Sequence, residues 1–137
     1  VMAGSDIVAL DATGRPRLDG LSFAETVKAL REDGTLVMAD CGSFEDAQRA
    51  VDAGVDIVST TLAGYTGDRV KTDGPDLELL REVVAAFPDV PVICEGRVHT
   101  PEQAAAAIEA GAFAVIVGTA ITHPTSITTW FKAAVEG

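Results

Sequence analysis

Short apolar runs alternate with longer amphipathic stretches along the whole chain. The runs fall at positions 6–10, 36–39, 56–59, 91–94 and 114–117. Val and Ile dominate most of them, which suits strands. Their continuity predicts strands buried on both faces of a parallel sheet. The stretches between them carry helix punctuation. Ser22 precedes Glu25 by three residues, Ser43 precedes Asp46, and Thr100 precedes Gln103. The first and third are capping-box patterns and the second is an acidic variant. Pro101 sits at a first helical position, where its missing N–H costs nothing. Gly34, Gly54 and Gly111 each fall just before a strand, where a left-handed residue ends a helix. A fourth helix is expected over 76–87, with Leu77, Leu80, Val83, Val84 and Phe87 on one face. A last one is expected over 125–135, carrying Trp130 and Phe131.

The βα unit recurs. Ala3-Gly4-Ser5-Asp6-Ile7-Val8 returns as Ala53-Gly54-Val55-Asp56-Ile57-Val58, and more weakly as Ala110-Gly111-Ala112-Phe113-Ala114-Val115. A repeated βα module builds a doubly wound sheet or a barrel. The repeat favours the barrel, because a doubly wound sheet reverses at a switch point. Five strands do not close a barrel of eight, which needs roughly 250 residues. Ala3-Gly4 reads as the last turn of a helix whose body is absent, and Val1-Met2 suits a fragment or a misplaced start. About three βα units are therefore expected upstream. Two unpaired apolar sheet edges would then invite association.

Composition narrows the partners. The 137 residues, 47% hydrophobic and 23% charged, suffice for one folded domain. The net charge of -11 argues against nucleic acid and against an anionic membrane surface. A small anionic substrate needs donors supplied locally. Cys41 and Cys94 lie far apart at the ends of apolar runs, as reduced thiols of a cytoplasmic protein would. The chain has no Cys-x-x-Cys, no His pair at helical spacing and no asparagine, so neither a metal site nor N-glycosylation is expected. It shows no signal-peptide pattern and no membrane-length apolar run.

Polar residues or glycines follow every strand: Asp11, Asp40, Thr60 and Thr61, Glu95-Gly96-Arg97, and Gly118-Thr119. All fall on the carboxyl-terminal rim, where barrels place their active sites. Glu95 ends a buried strand, and partial desolvation suits a carboxylate there to proton transfer; a structural Glu95–Arg97 pair is the bland alternative. Gly96 would admit a ligand close to the backbone. The Gly118-Thr119 loop could present backbone N–H groups to a phosphate, with Arg97 adding a charge-assisted bond. Asp11 could meet sugar hydroxyls, and Arg15 or Arg17 the anion, unless that loop is merely solvated. Asp40 divides evenly between ligand contact and a cap of the next loop. The 61–76 loop is long for a βα connection. Its 62–66 segment, with the chain's only tyrosine, Tyr65, could close as a lid. His99 and His123 read as surface residues or caps.

These motifs together resemble the N-acetylmannosamine-6-phosphate 2-epimerase family. Asp6-Ile7-Val8-Ala9-Leu10-Asp11-Ala12-Thr13 with Arg15-Pro16 is similar to its fourth strand, and Met38-Ala39-Asp40-Cys41 to its fifth. Ser59-Thr60-Thr61-Leu62-Ala63-Gly64-Tyr65-Thr66, the most distinctive, resembles the sixth. Cys94-Glu95-Gly96-Arg97-Val98-His99-Thr100-Pro101 resembles the seventh and Val117-Gly118-Thr119-Ala120-Ile121-Thr122 the eighth. The resemblance implies an α/β fold, the carboxyl-terminal part of a (β/α)8 TIM barrel. It implies inversion at C2 of N-acetylmannosamine 6-phosphate in sialic acid catabolism, with no cofactor. It makes Glu95 catalytic, matches Gly96, Arg97, Gly118 and Thr119 to the phosphate-binding region and matches Asp11 to a sugar-contacting position; Arg97 and, from the long loop, Tyr65 are expected beside Asp11 on the substrate. The family's second catalytic residue is a lysine on the third strand, and Lys28, Lys71 and Lys132 do not match it. Activity is expected only when the upstream strands complete the chain. Another sugar-phosphate isomerase on the same barrel, or a non-catalytic half-barrel, remains open beside it.

Overall fold

The computed structural model describes residues 4–67 and 69–137, so Val1, Met2 and Ala3, with the helix end read there, lie outside it, as does Asp68 of the long loop. Five strands form one sheet: β1 Ile7–Asp11, β2 Leu36–Asp40, β3 Ile57–Ser59, β4 Val92–Glu95 and β5 Ala114–Ile116. Every neighbouring pair is parallel and the spatial order is the chain order, β1-β2-β3-β4-β5. The winding never reverses, so the molecule is an arc of a barrel and has no doubly wound switch point.

Helices α1 Phe23–Glu32, α2 Phe44–Asp52, α3 Leu77–Ala86 and α4 Pro101–Glu109 connect successive strands. Ser22 and Thr100 close full capping boxes with Glu25 and Gln103. Ser43 does half of that. Its side chain accepts from the Asp46 amide, but the Asp46 carboxylate takes the N–H of Gly42, one residue before the cap. Gly34, Gly54 and Gly111 adopt φ of 80°, 85° and 102°, as helix-ending glycines do. A four-residue helix follows β5, α5 Thr119–Thr122, and α6 Pro124–Glu136 ends the chain. The cap of α6 is His123, whose Nδ1 meets the Ser126 amide and hydroxyl.

The core lies between the sheet and α1–α4. Val37, Ala39, Val58, Val92 and Cys94 pack there against Val27, Leu79, Leu80 and Val83. The buried face of α3 is wider than the sequence suggests, because Leu79 is fully enclosed as well. Phe44 and Phe87 stack across α2 and α3 with ring centroids 5.8 Å apart.

The expectation that the strands are buried on both faces holds for one face only. Along β2, Val37 and Ala39 are buried while Leu36 is 46% exposed. Its register partner Ile7 is equally exposed, and Ile116 at the far end of the sheet is open too. In a closed barrel this second face is the packed interior. Here no strand stands opposite it among the described residues, so apolar side chains chosen for an interior remain partly in solvent.

Candidate active site

Register builds the site. Parallel pairing sets Asp11 against Asp40 and Asp40 against Ser59, so all three project from the same open face. Ser59 pairs with Ile93, and Glu95 lies two residues further along β4 on that face. Three carboxyl groups and a hydroxyl from four strands thus meet at the carboxyl-terminal rim. The Glu95 side chain accepts a hydrogen bond from Ser59 Oγ at 3.1 Å. Its backbone is clamped by Thr60, whose hydroxyl accepts from Glu95 N and donates to Glu95 O, both at 3.2 Å. Thr60 is fully buried and serves the strand ends, while Ser59 is the polar side chain on Glu95 itself. The sequence reading singled out Thr60 and Thr61; the period-two alternation of β3 is the signal that selects Ser59.

The carboxyl groups differ in charge state. Burial pushes the Asp11 carboxyl up, but hydrogen bonds from the Thr13 hydroxyl at 2.6 Å and amide at 2.9 Å, with the Arg15 guanidinium, hold it below its ordinary value. Asp40 goes the other way. Burial, then the negative charges of Glu95 and Asp11, raise it to about 6. Its Oδ1 is buried without a hydrogen-bond partner. Asp40 does not cap α2, where Ser43 takes that place. A buried unpartnered carboxyl oxygen beside two other carboxyl groups is where a ligand hydroxyl or amide would be received.

The surrounding loops place the other candidates. Gly96 has φ of 96°, and a Cβ on it would meet the Thr61 carbonyl at 3.3 Å. Gly118 leads into α5 with open space around it. The first N–H groups of a helix lack intrahelical partners, and at α5 these begin with Thr119. Arg15 is held by Asp11, and Arg17 leans on Asp19 at 3.7 Å. Arg17 Nε is buried without a hydrogen-bond partner. Arg97 is also occupied: its guanidinium donates to Gly74 O, Ala63 O and Thr72 Oγ1. Tyr65, 54% exposed, lies between Arg97 and Lys71, each 4.9 Å from its ring centroid. The lysines sit on α1, in the long loop and on α6, and no ion pair joins one to Glu95 among the described residues. No cluster of described residues suits a metal ion. Cys41 and Cys94 are buried free thiols, both pushed up by burial and thus poor nucleophiles.

Parallel strands wound in one direction, with acidic groups gathered at their carboxyl ends, form an arc of a (β/α)8 barrel and its carboxyl-terminal rim. The match to known proteins is narrower. The family model described as "Putative N-acetylmannosamine-6-phosphate epimerase" matches residues 1–137, and the chain belongs to that family. A Cutibacterium acnes protein named as such a 2-epimerase is 59% identical over 136 residues, which are 98% of this chain and 59% of that protein. The "Bifunctional enzyme NanE/NanK" of Brucella melitensis is 44% identical over 98% of this chain and 25% of its own length. The solved N-acetylmannosamine-6-phosphate 2-epimerase from Clostridium perfringens superposes with a TM-score of 0.91 at 42% identity, covering 96% of this chain and 57% of that one. The chain therefore spans a little over half the length of these single-function relatives, and is a partial barrel. No helix among the described residues is long and apolar enough to cross a membrane.

Proposed function

We propose that this chain supplies the carboxylate half of an N-acetylmannosamine-6-phosphate 2-epimerase site, completed by βα units such as its longer relatives carry beyond the matched region. The observation that carries this reading is Glu95, aimed onto the open face at the end of β4, hydrogen-bonded by Ser59 and adjacent to Asp40. On the ring-opened substrate, Glu95 removes the C2 proton. The C–H electron pair moves toward the C1 carbonyl oxygen and gives an enolate. An acid on the opposite face, supplied by the residues that complete the barrel, then gives a proton to C2; the enolate collapses to the C1 aldehyde and N-acetylglucosamine 6-phosphate results, with no redox partner. The developing oxyanion needs an electrophile, and the family's lysine takes that place from outside this chain.

Asp40, whose carboxyl burial and the neighbouring charges of Glu95 and Asp11 push up to about 6, faces the substrate beside Glu95 with its buried Oδ1 free to meet a hydroxyl or amide. Asp11 and Tyr65 bound the sugar, and Gly96, Gly118 and Thr119 offer backbone to the phosphate. The homes we assign to this activity are the cytoplasm and amino-sugar catabolism. The unpaired outer edges of β1 and β5 favour association with further strands or further copies. The test is a chimera in which the part of the Cutibacterium acnes relative not covered here completes the barrel. Glu95→Gln should lower its epimerisation of N-acetylmannosamine 6-phosphate, followed by proton NMR, by about 10³-fold or more, in line with loss of an essential general base. Retained turnover in Glu95→Gln would remove Glu95 from the chemistry.

A further inference from the structure

Among the described residues, Arg97 is the one non-glycine residue with a positive φ, 57°. It follows Gly96 at φ 96°, so two left-handed residues in succession swing the chain off β4 immediately behind Glu95. That swing sends the Arg97 side chain back across the β3–α3 loop. Nη1 donates to Ala63 O at 2.7 Å on the outgoing arm of the loop. Nη2 and Nε donate to Thr72 Oγ1 at 3.0 Å and Gly74 O at 3.1 Å on the returning arm. The Tyr65 ring lies against the same guanidinium. A planar fork that bridges two arms of a loop uses donors in fixed directions, which an ammonium cannot reproduce. The far end of the loop is tied independently. Arg69 bonds Asp76 at 2.5 and 3.1 Å, and Asp76 caps α3 through the Leu79 amide.

We infer that Arg97 is a positioning residue: it locks the β3–α3 loop, with Tyr65, as a fixed wall beside Glu95, and is not a ligand of the substrate's anionic group. The site this wall serves rests on the epimerase reading, but the lock does not. The loop is thereby a built part of the rim and not a closing lid. Since Glu95 is one residue from the left-handed turn, the loop and the carboxylate share one mechanical frame.

Arg97→Gln and Arg97→Lys, made in this chain, separate geometry from charge. Both should raise trypsin cleavage after Arg69 and Lys71, and amide hydrogen exchange over positions 61–76, about tenfold or more, with exchange in α1 unchanged. Wild-type protection in Arg97→Gln, or protection restored by Lys, would overturn the inference. Thr72→Val removes one partner and leaves β4 untouched, so it keeps the question open to test if the arginine variants unfold. It should loosen the loop two- to fivefold, and no change in it counts against the lock. In the completed chimera, Arg97→Lys should lower kcat about tenfold and leave KM for the sugar phosphate within twofold. A raised KM with unchanged kcat would make Arg97 an anion ligand instead. A wild-type chimera without epimerase activity would sink the proposed function, while the protection data would still decide the role of Arg97.

Discussion

Asp40 holds its proton against a fold that has few ways to stabilise its charge. Its pKa rises from 3.8 to about 6, so the folded state binds the proton more tightly than the unfolded chain does. The associated stability is present in full below about pH 4 and is lost as pH rises through about 6. Because Asp40 is only partly buried, solvent screening cuts the associated energy to about 1 kcal/mol. Urea unfolding of this chain from pH 4 to pH 8 should show that loss, and Asp40→Asn should remove it. The variant is expected to be about 1 kcal/mol more stable than the wild type at pH 8; parallel curves for the two proteins would place the strain elsewhere. None of this is readable in the Met38-Ala39-Asp40-Cys41 motif. It depends on Glu95 and Asp11, which other strands bring alongside. Glu95 was legible because it ends an apolar run directly before a glycine. The hydrogen bonds of Arg97 were not legible, because its partners lie 23 to 34 residues away in a loop without regular pattern.

At the scale of elements, local rules carried far. Ser22, Thr100 and Pro101 announce their helices through chemistry confined to four residues, and the structure uses each in that way. His123 was left between a surface residue and a cap, because a histidine cap lacks the usual Ser, Thr, Asp or Asn signature, and the structure makes it the cap of α6. The 61–76 loop escaped because its order comes from tertiary hydrogen bonds and not from turn chemistry. Two glycines test that order. Gly20 and Gly64 share a φ of 72°, but a Cβ on Gly20 meets open space while one on Gly64 would stand 2.7 Å from the Lys71 Cα. Gly20→Ala should cost about 1 kcal/mol, the left-handed penalty alone. Gly64→Ala should cost about 2–4 kcal/mol, because backbone must also move. Equal losses in chemical denaturation would show a loop that yields freely.

The molecule as a whole is an arc whose second face has the composition of an interior. Val37, Val58 and Val92 are covered by helices, while Ile7, Leu36 and Ile116 on the opposite face have no strand against them among the described residues. The apolar runs alone could not distinguish these faces, because both are written in the same residues. What the repeat did convey was the direction of winding, and with it the convergence of Asp11, Asp40 and Glu95 on one rim.

The central claim is that this rim performs proton transfer at C2 once the barrel is whole. The direct measurement is deuterium incorporation at C2 of N-acetylmannosamine 6-phosphate in deuterated water, followed by NMR, for the chain alone and for the completed chimera. The expected result is exchange with inversion by the chimera and none by the chain alone. A folded chimera that leaves the C2 proton in place would contradict it.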